Sequence, residues 1–164
     1  MPPFEVEMEK RRLIQLLDDT RRTTVHILHE VNTDRVVHAE SGWQVKDLVG
    51  HIVFWEEEAL AWLLALKEGR IYTIAEFVSF EAVNHHDYQR RRDHTYQHIL
   101  DDFHAVRDRL KAALLALPAE RFDQVMRFPW PWRGTLSEMI ETMAAHEREH
   151  ALEIVAALSG QVMV

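Results

Sequence analysis

Apolar residues recur along this chain at intervals of three and four in four separate stretches. In the first, about 6–31, Leu13, Leu16, Leu17, Thr20, Thr24, Ile27, Leu28 and Val31 fall on one stripe. Spacing of this kind puts side chains on one face of an α-helix. The second stretch, about 45–67, carries Leu48, Val49, Ile52, Trp55, Ala59, Trp62, Leu63 and Leu66, with Gly69 placed to stop it. The third, about 95–117, carries Ile99, Phe103, Val106, Leu110, Ala113 and Leu117, and Pro118 follows. The fourth, about 136–158, opens on Thr135-Leu136-Ser137-Glu138. There Thr135 can accept from the Glu138 amide while Glu138 reaches back, a capping box.

No strand pattern survives beside these helices. The stretch 71–80 has β-branched and aromatic residues but stands alone, and one strand builds no sheet. The expectation is an all-α, four-helix bundle forming a single domain over 1–164. Its connection between helices two and three, about 70–94, is long, and one long link lets two successive helices run in the same direction. The link Phe128-Pro129-Trp130-Pro131-Trp132 is stiffened by two prolines and carries two indoles. It reads either as a lid over the bundle end or as one wall of a substrate pocket.

Composition narrows the function. There is no cysteine, so thiol nucleophiles and cysteine-ligated metal are excluded, and any thiol chemistry must use an external small thiol. The net charge is −8, from 27 acidic and 19 basic residues. This balance argues against binding a nucleic-acid backbone, so no nucleic acid is expected as a partner. The Arg90-Arg91-Arg92 run, flanked by Asp87 and Asp93, reads as a solvated turn or helix start. No signal peptide and no membrane span are legible, so a cytoplasmic location is expected.

Eleven histidines are present, and their spacing separates them. His146 and His150, four apart on the fourth helix, lie one turn above another near the angular position of Met139 and Met143, so both face inward. Buried imidazoles need partners for their nitrogens, and a shared ion supplies one to each ring. His51 lies among Leu48, Trp55 and Trp62 on the core-facing arc of helix two. Three histidines with an open fourth position are the donor set of a catalytic metal site. His94 and His98 are also four apart but fall off the apolar stripe and read as surface residues. His26 and His29 suit a negative helix end. His85 and His86, adjacent in the long link, diverge in an extended chain. Residues 146–150 spell His-Glu-Arg-Glu-His, the HExxH pattern of zinc peptidases. The third ligand of the extended form would fall at 156, which is Ala156, and no strand is available to line a peptide cleft. A protease is therefore rejected.

Three blocks resemble the DinB/YfiT-like superfamily of small bacterial metal-binding bundles. They are residues 42–56, containing Gly42-Trp43-Gln44-Val45-Lys46-Asp47 and His51; the region of Asn84; and Trp132-Arg133-Gly134-Thr135 leading into His146 and His150. Gln44 stands where the family usually places a Ser or Thr cap, a loss of about 1 kcal/mol. The resemblance implies an up-down-down-up bundle, a metal on His51, His146 and His150, and a homodimer. Some members resemble thiol-dependent transferases, and the ClbS/DfsB-like branch resembles hydrolases that detoxify reactive small molecules.

The expected function is a metal-dependent enzyme acting on a small electrophile, as thiol-dependent transferase or as hydrolase. A Zn²⁺, Ni²⁺ or related ion would bind water or an external thiol at its open position and lower its pKa. Glu58, Glu147 and Glu153 are the acids whose spacing suits support of the ligands. Two alternatives stand beside this reading: a non-catalytic metal- or ligand-binding bundle, and a damage-response protein.

Overall fold

The computed structural model describes residues 2–160; Met1 and the last four residues of the expected 1–164 domain lie outside the described residues. Four long helices form where the periodicity places them: α1 (Pro3–His29), α2 (Val45–Lys67), α4 (Tyr96–Leu115) and α5 (Leu136–Leu158), with a fifth, α3 (Phe80–Arg91), between α2 and α4. The long helices close a ring in which α1 packs on α5, α5 on α2, α2 on α4, and α4 returns to α1. The fold is mainly helical, and the expectation of four helices misses α3.

The reason lies in how α3 is held. Its only fully buried residues are Asp87 and Arg91, so it carries no apolar stripe for a sequence reading to find. Arg91 Nε donates to Asp87 Oδ1 at 2.9 Å, and its guanidinium also pairs with Glu57 of α2. The arginine run ends a helix rather than starting one; Arg90 and Arg92 are solvated, as expected, but Arg91 is buried as an ionic clamp fastening α3 to α2. Ser79 starts the helix by accepting from the Ala82 amide at 3.1 Å.

Helix starts are otherwise written locally. The capping box on α5 forms, with Glu138 N to Thr135 Oγ1 at 3.2 Å and Thr135 N to Glu138 Oε2 at 2.7 Å. At α2, Asp47 accepts from the Gln44 amide at 2.9 Å, so the end keeps a partner although Gln44 replaces the usual hydroxyl cap. Lys10 of α1, only 7% exposed, donates to the carbonyls of Leu115 and Leu117, both at 2.9 Å. It thereby satisfies orphan acceptors at the end of α4.

Two short antiparallel ribbons correct the expectation of no strands. β1 (Val36–His38) pairs with β2 (Trp43–Gln44) through an irregular register. β3 (Met126–Arg127) pairs with β4 (Arg133–Gly134). Each is too short to leave a period-two pattern. The second ribbon closes the Phe128–Trp132 segment into a hairpin, and Gly134 is required there. A Cβ on it would sit 2.7 Å from Phe128 and 2.8 Å from Glu138.

The core between α1, α2, α4 and α5 is not purely apolar. Glu56, Glu147, Arg107 and Arg21 are all buried, at 1%, 0%, 2% and 7% exposure. Arg21 Nη2 donates to both Glu56 oxygens at 2.9 Å, and its Nε lies 3.1 Å from Glu147 Oε1. Arg107 pairs with both Glu56 and Glu147. Arg21 also stacks over the Phe103 ring at 3.4 Å, and it donates to the Phe103 carbonyl. Two guanidiniums and two carboxylates cancel within one cluster, which is what lets charges persist in a low-dielectric core. No helix among the described residues is long and apolar enough to cross a membrane.

Candidate metal centre

The ring nitrogens of His51, His146 and His150 converge from two helices. On α5 the four-residue spacing stacks His146 and His150 one turn apart, with centroids 4.5 Å apart and rings nearly perpendicular at 88°. His51 enters from α2. His146 Nε2 faces His51 Nε2 at 3.0 Å and His150 Nε2 at 3.0 Å. All three residues present one donor atom within 4.8 Å of the others. Nitrogens about 2.0–2.1 Å from a tetrahedral ion would lie roughly 3.3 Å from each other, close to the spacing found.

The electrostatics suit ligation. Burial, followed by its neighbouring imidazoles, drives the His51 pKa down to about 2. Burial likewise takes His146 to about 3. Both rings are therefore neutral near pH 7, as metal ligands must be. Glu153 fixes the third ring. Its Oε2 lies 2.9 Å from His150 Nδ1 and 2.8 Å from His38 Nε2. The hydrogen bond from His150 is the main reason its pKa falls to about 2, so it is a carboxylate acceptor. With its Nδ1 proton given to Glu153, His150 turns the Nε2 lone pair toward the other two rings. A carboxylate–imidazole pair of this kind sets tautomer and ring orientation at metal sites. The donor set and the backing acid thus fit a divalent transition metal.

Of the three candidate supporting acids, the structure brings only Glu153 to the triad. Glu147, the glutamate of the HExxH pattern, turns into the core and is consumed by Arg21 and Arg107, which removes it as a general base and supports rejecting the peptidase. Glu58 accepts from Tyr72 Oη at 2.8 Å, and burial raises its pKa first of all. His26 and His29 are exposed, as expected. His94 and His98 form their own group with Asp102.

His38 and Trp43 went unnoticed at this site in the sequence because their place depends on the β1–β2 ribbon. His38 stacks on Trp43 at 6.0 Å, and Trp43 contacts His51 at 5.5 Å and Tyr88 at 5.5 Å. The signal for the core charges was present in the spacing: Arg21 is four after Leu17 and three before Thr24, Arg107 four after Phe103 and three before Leu110, and Glu56 four after Ile52 and three before Ala59. Among the described residues, two cavities of several hundred Å³ reach the triad. One of about 780 Å³ is lined by His38, Trp43, His51 and His150 together with α3 residues. The other, about 310 Å³, touches His51 and His146 and is walled by aromatic rings. Trp130 and Trp132 line it, so the proline-rich hairpin is a pocket wall.

A helical bundle with three inward imidazoles from two helices defines a class of small bundle proteins with a candidate metal centre. The sequence model of the DinB superfamily matches residues 16–154, and the chain belongs to that superfamily. No curated protein matches it. Among solved structures it is similar to an uncharacterised protein from Escherichia coli UTI89, at 13% identity over 92% of each chain with a TM-score of 0.73. It is also similar to the colibactin self-resistance protein ClbS in complex with a dsDNA, at 15% identity over 93% of this chain and 97% of that one, with a TM-score of 0.76. The second finding overturns the expectation that no nucleic acid is a partner: a protein of this fold has been solved on duplex DNA. Net charge sums the whole surface, whereas a backbone is bound by the local field of one face, so a balance of −8 does not by itself exclude such a partner.

Proposed function

We propose that this protein is a metal-dependent enzyme acting on a reactive small molecule, as a thiol-dependent transferase or a hydrolase, within an up-down-down-up bundle that pairs as a homodimer. The carrying observation is the convergence of three Nε2 atoms at 3.0 Å contacts with His150 backed by Glu153. His51, His146 and His150 hold the ion. When bound, it would act as a Lewis acid that lowers the pKa of water or an external thiol. The protein's own groups do the rest. Glu153 holds the Nδ1 proton of His150 and is itself oriented by His38. Trp43 and Trp55 pack beside His51, with ring centroids 5.5 and 6.5 Å away, and hold its ring in place. A sequestering site needs closure on all sides, whereas here two cavities lead to the triad, which favours an enzyme over a storage bundle.

The test is elemental analysis of untagged protein prepared without added metal, beside His146→Ala. About one metal per chain in the wild type and far less in the variant is expected. A wild type that takes up no first-row divalent ion refutes the reading. The complex of ClbS with DNA carries a second reading, duplex binding. It predicts an affinity that falls steeply with salt, and a flat salt response or no binding removes it.

A further inference from the structure

The two cavities at the triad differ in chemistry. The larger one presents His38, Ser41, Ser79, Glu81 and His85, a set of hydrogen-bonding and charged groups. The smaller is walled by Trp55, Phe80, Trp130, Trp132 and Met143, and no Asp, Glu, Lys or Arg lines it. His51 and Asn84 line both. Asn84 is fixed in place, its Oδ1 accepting from Trp55 Nε1 at 3.0 Å. The wall is a chain of edge-on contacts. Trp55 meets Trp130 at 5.2 Å and 87°, Phe80 meets Trp132 at 5.6 Å and 62°, and Trp130 meets Trp132 at 6.2 Å and 79°. Rings set at such steep angles to one another along one wall suit a flat partner able to stack on a face and to meet an edge.

We propose that the aromatic chamber binds a neutral, planar apolar group of the substrate, placing its reactive end against His51 and His146, while the polar cleft takes the hydrophilic co-reactant. Size supports a group of one or two rings: an apolar cavity of roughly 150 Å³ accepts benzene, and this one is about 310 Å³. Charge decides against a cation. Aromatic cages do bind quaternary ammonium groups, but here no carboxylate lines the wall and two of the candidate metal ligands do. An anionic group would have no cation to meet on the wall. The sidedness rests on reading the triad as a reaction centre, but the chamber's preference can be measured without metal.

The experiment titrates metal-free, full-length protein with 2-naphthalenemethanol, 2-naphthoate and (2-naphthylmethyl)trimethylammonium, reading ¹⁵N signals of the five tryptophan indoles and calorimetry. The neutral alcohol is expected to bind most tightly and to move the Trp55, Trp130 and Trp132 signals, leaving Trp62 still. Trp132 is 53% exposed, so Trp132→Ala should fold normally and weaken the alcohol about tenfold. Trp132→Phe should restore most of that, and His85→Ala in the polar cleft should change nothing. Absent saturable binding by the alcohol, tighter binding of the cation, or an unaltered affinity in Trp132→Ala each overturns the proposal. Metal uptake is scored separately. Naphthalenemethanol binding by a chain that takes no metal would leave the chamber standing and remove the enzyme reading, and metal uptake without that binding would do the reverse.

Discussion

Two His-x3-His pairs of this protein have almost the same ring geometry, one within α5 and one straddling the start of α4. His146 and His150 have centroids 4.5 Å apart at 88°; His94 and His98 have 4.6 Å and 83°. In α5 the helix sets that geometry, whereas His94 lies ahead of the Thr95 cap and meets His98 from outside α4. What differs is everything around it. The α5 pair gains a third imidazole from a different helix, His51, buried at 8% exposure. The pair at the start of α4 has, among the described residues, Asp102 of that helix, 3.5 Å from His98, whose side chain is 57% exposed. Behind His150 stands Glu153, held by His38 as well. Asp102, in contrast, is shared with Arg91 at 3.7 Å. A site is made by a donor crossing between elements, by exclusion of water, and by an acid that fixes the ring.

The largest difference to exploit is the residue that follows the first histidine of each pair. After His146 comes Glu147, the fully buried partner of two arginines. After His94 comes Thr95, which accepts from the His98 amide at 3.2 Å as the cap of α4. Glu147→Ala leaves two buried guanidiniums short of a carboxylate and should cost about 3–5 kcal/mol in a denaturant titration. Thr95→Ala should cost about 1 kcal/mol. Equal costs would mean that the buried four-charge cluster has no special weight.

Acid should expose the next difference. His51 and His146 are held near 2 and 3, chiefly by burial, against about 6.5 when unfolded. Between pH 6.5 and those values the unfolded chain binds protons that the folded chain refuses. Metal-free protein therefore keeps this stability above about pH 6.5 and loses it as pH falls, by up to about 1.4 kcal/mol per unit for each ring. Glu153, held near 2 first by the His150 hydrogen bond, acts in the same direction below its unfolded value of about 4.3. Thermal melts from pH 7.5 to 4 check the slope, and His51→Leu should flatten it.

The backing acid gives a smaller effect. Glu153→Gln keeps the shape but replaces a carboxylate acceptor with an amide that no longer draws the Nδ1 proton of His150. Metal affinity should fall about 10–100-fold, with His38→Ala falling less because it reaches the triad only indirectly, through Glu153 and Trp43. Competition with a chromophoric chelator reads both. An unchanged affinity in Glu153→Gln would show that the triad is oriented by packing alone.

The comparison also explains what could be read from the chain. The long helices and the triad were legible because both follow from a 3.6-residue period: Leu13, Leu17, Thr20, Thr24 and Leu28 are buried in sequence order, and His51 falls on the same kind of stripe in α2. α3 was hidden because ion pairs of Asp87 and Arg91 hold it in place of an apolar face. His38 was hidden because a three-residue strand leaves no pattern, and its partner Glu153 lies 115 residues away. The HExxH spelling misled in one respect only: adjacent helical residues point about a third of a turn apart, so Glu147 faces the core while its flanking histidines face the cavities.

The smallest effect belongs to the α4 pair. His94 Nδ1 is buried without a hydrogen-bond partner, and the group with His98 and Asp102 brings three donors within 4.8 Å, so ions in excess should find it. Two features hold its affinity down. His98 and its side of the group face water, so an ion gains little by exchanging hydration for ligands there, and Asp102 must give up part of its contact with Arg91. Calorimetric titration of metal-stripped protein should therefore resolve one tight event near one ion per chain and a weak second one. His98→Ala should erase only the weak event and leave the tight stoichiometry and melting temperature of the loaded protein unchanged. If His98→Ala instead weakens the tight event, the pairs are equivalent in practice, and ring spacing alone, without His51 and Glu153, would be what binds metal in this bundle.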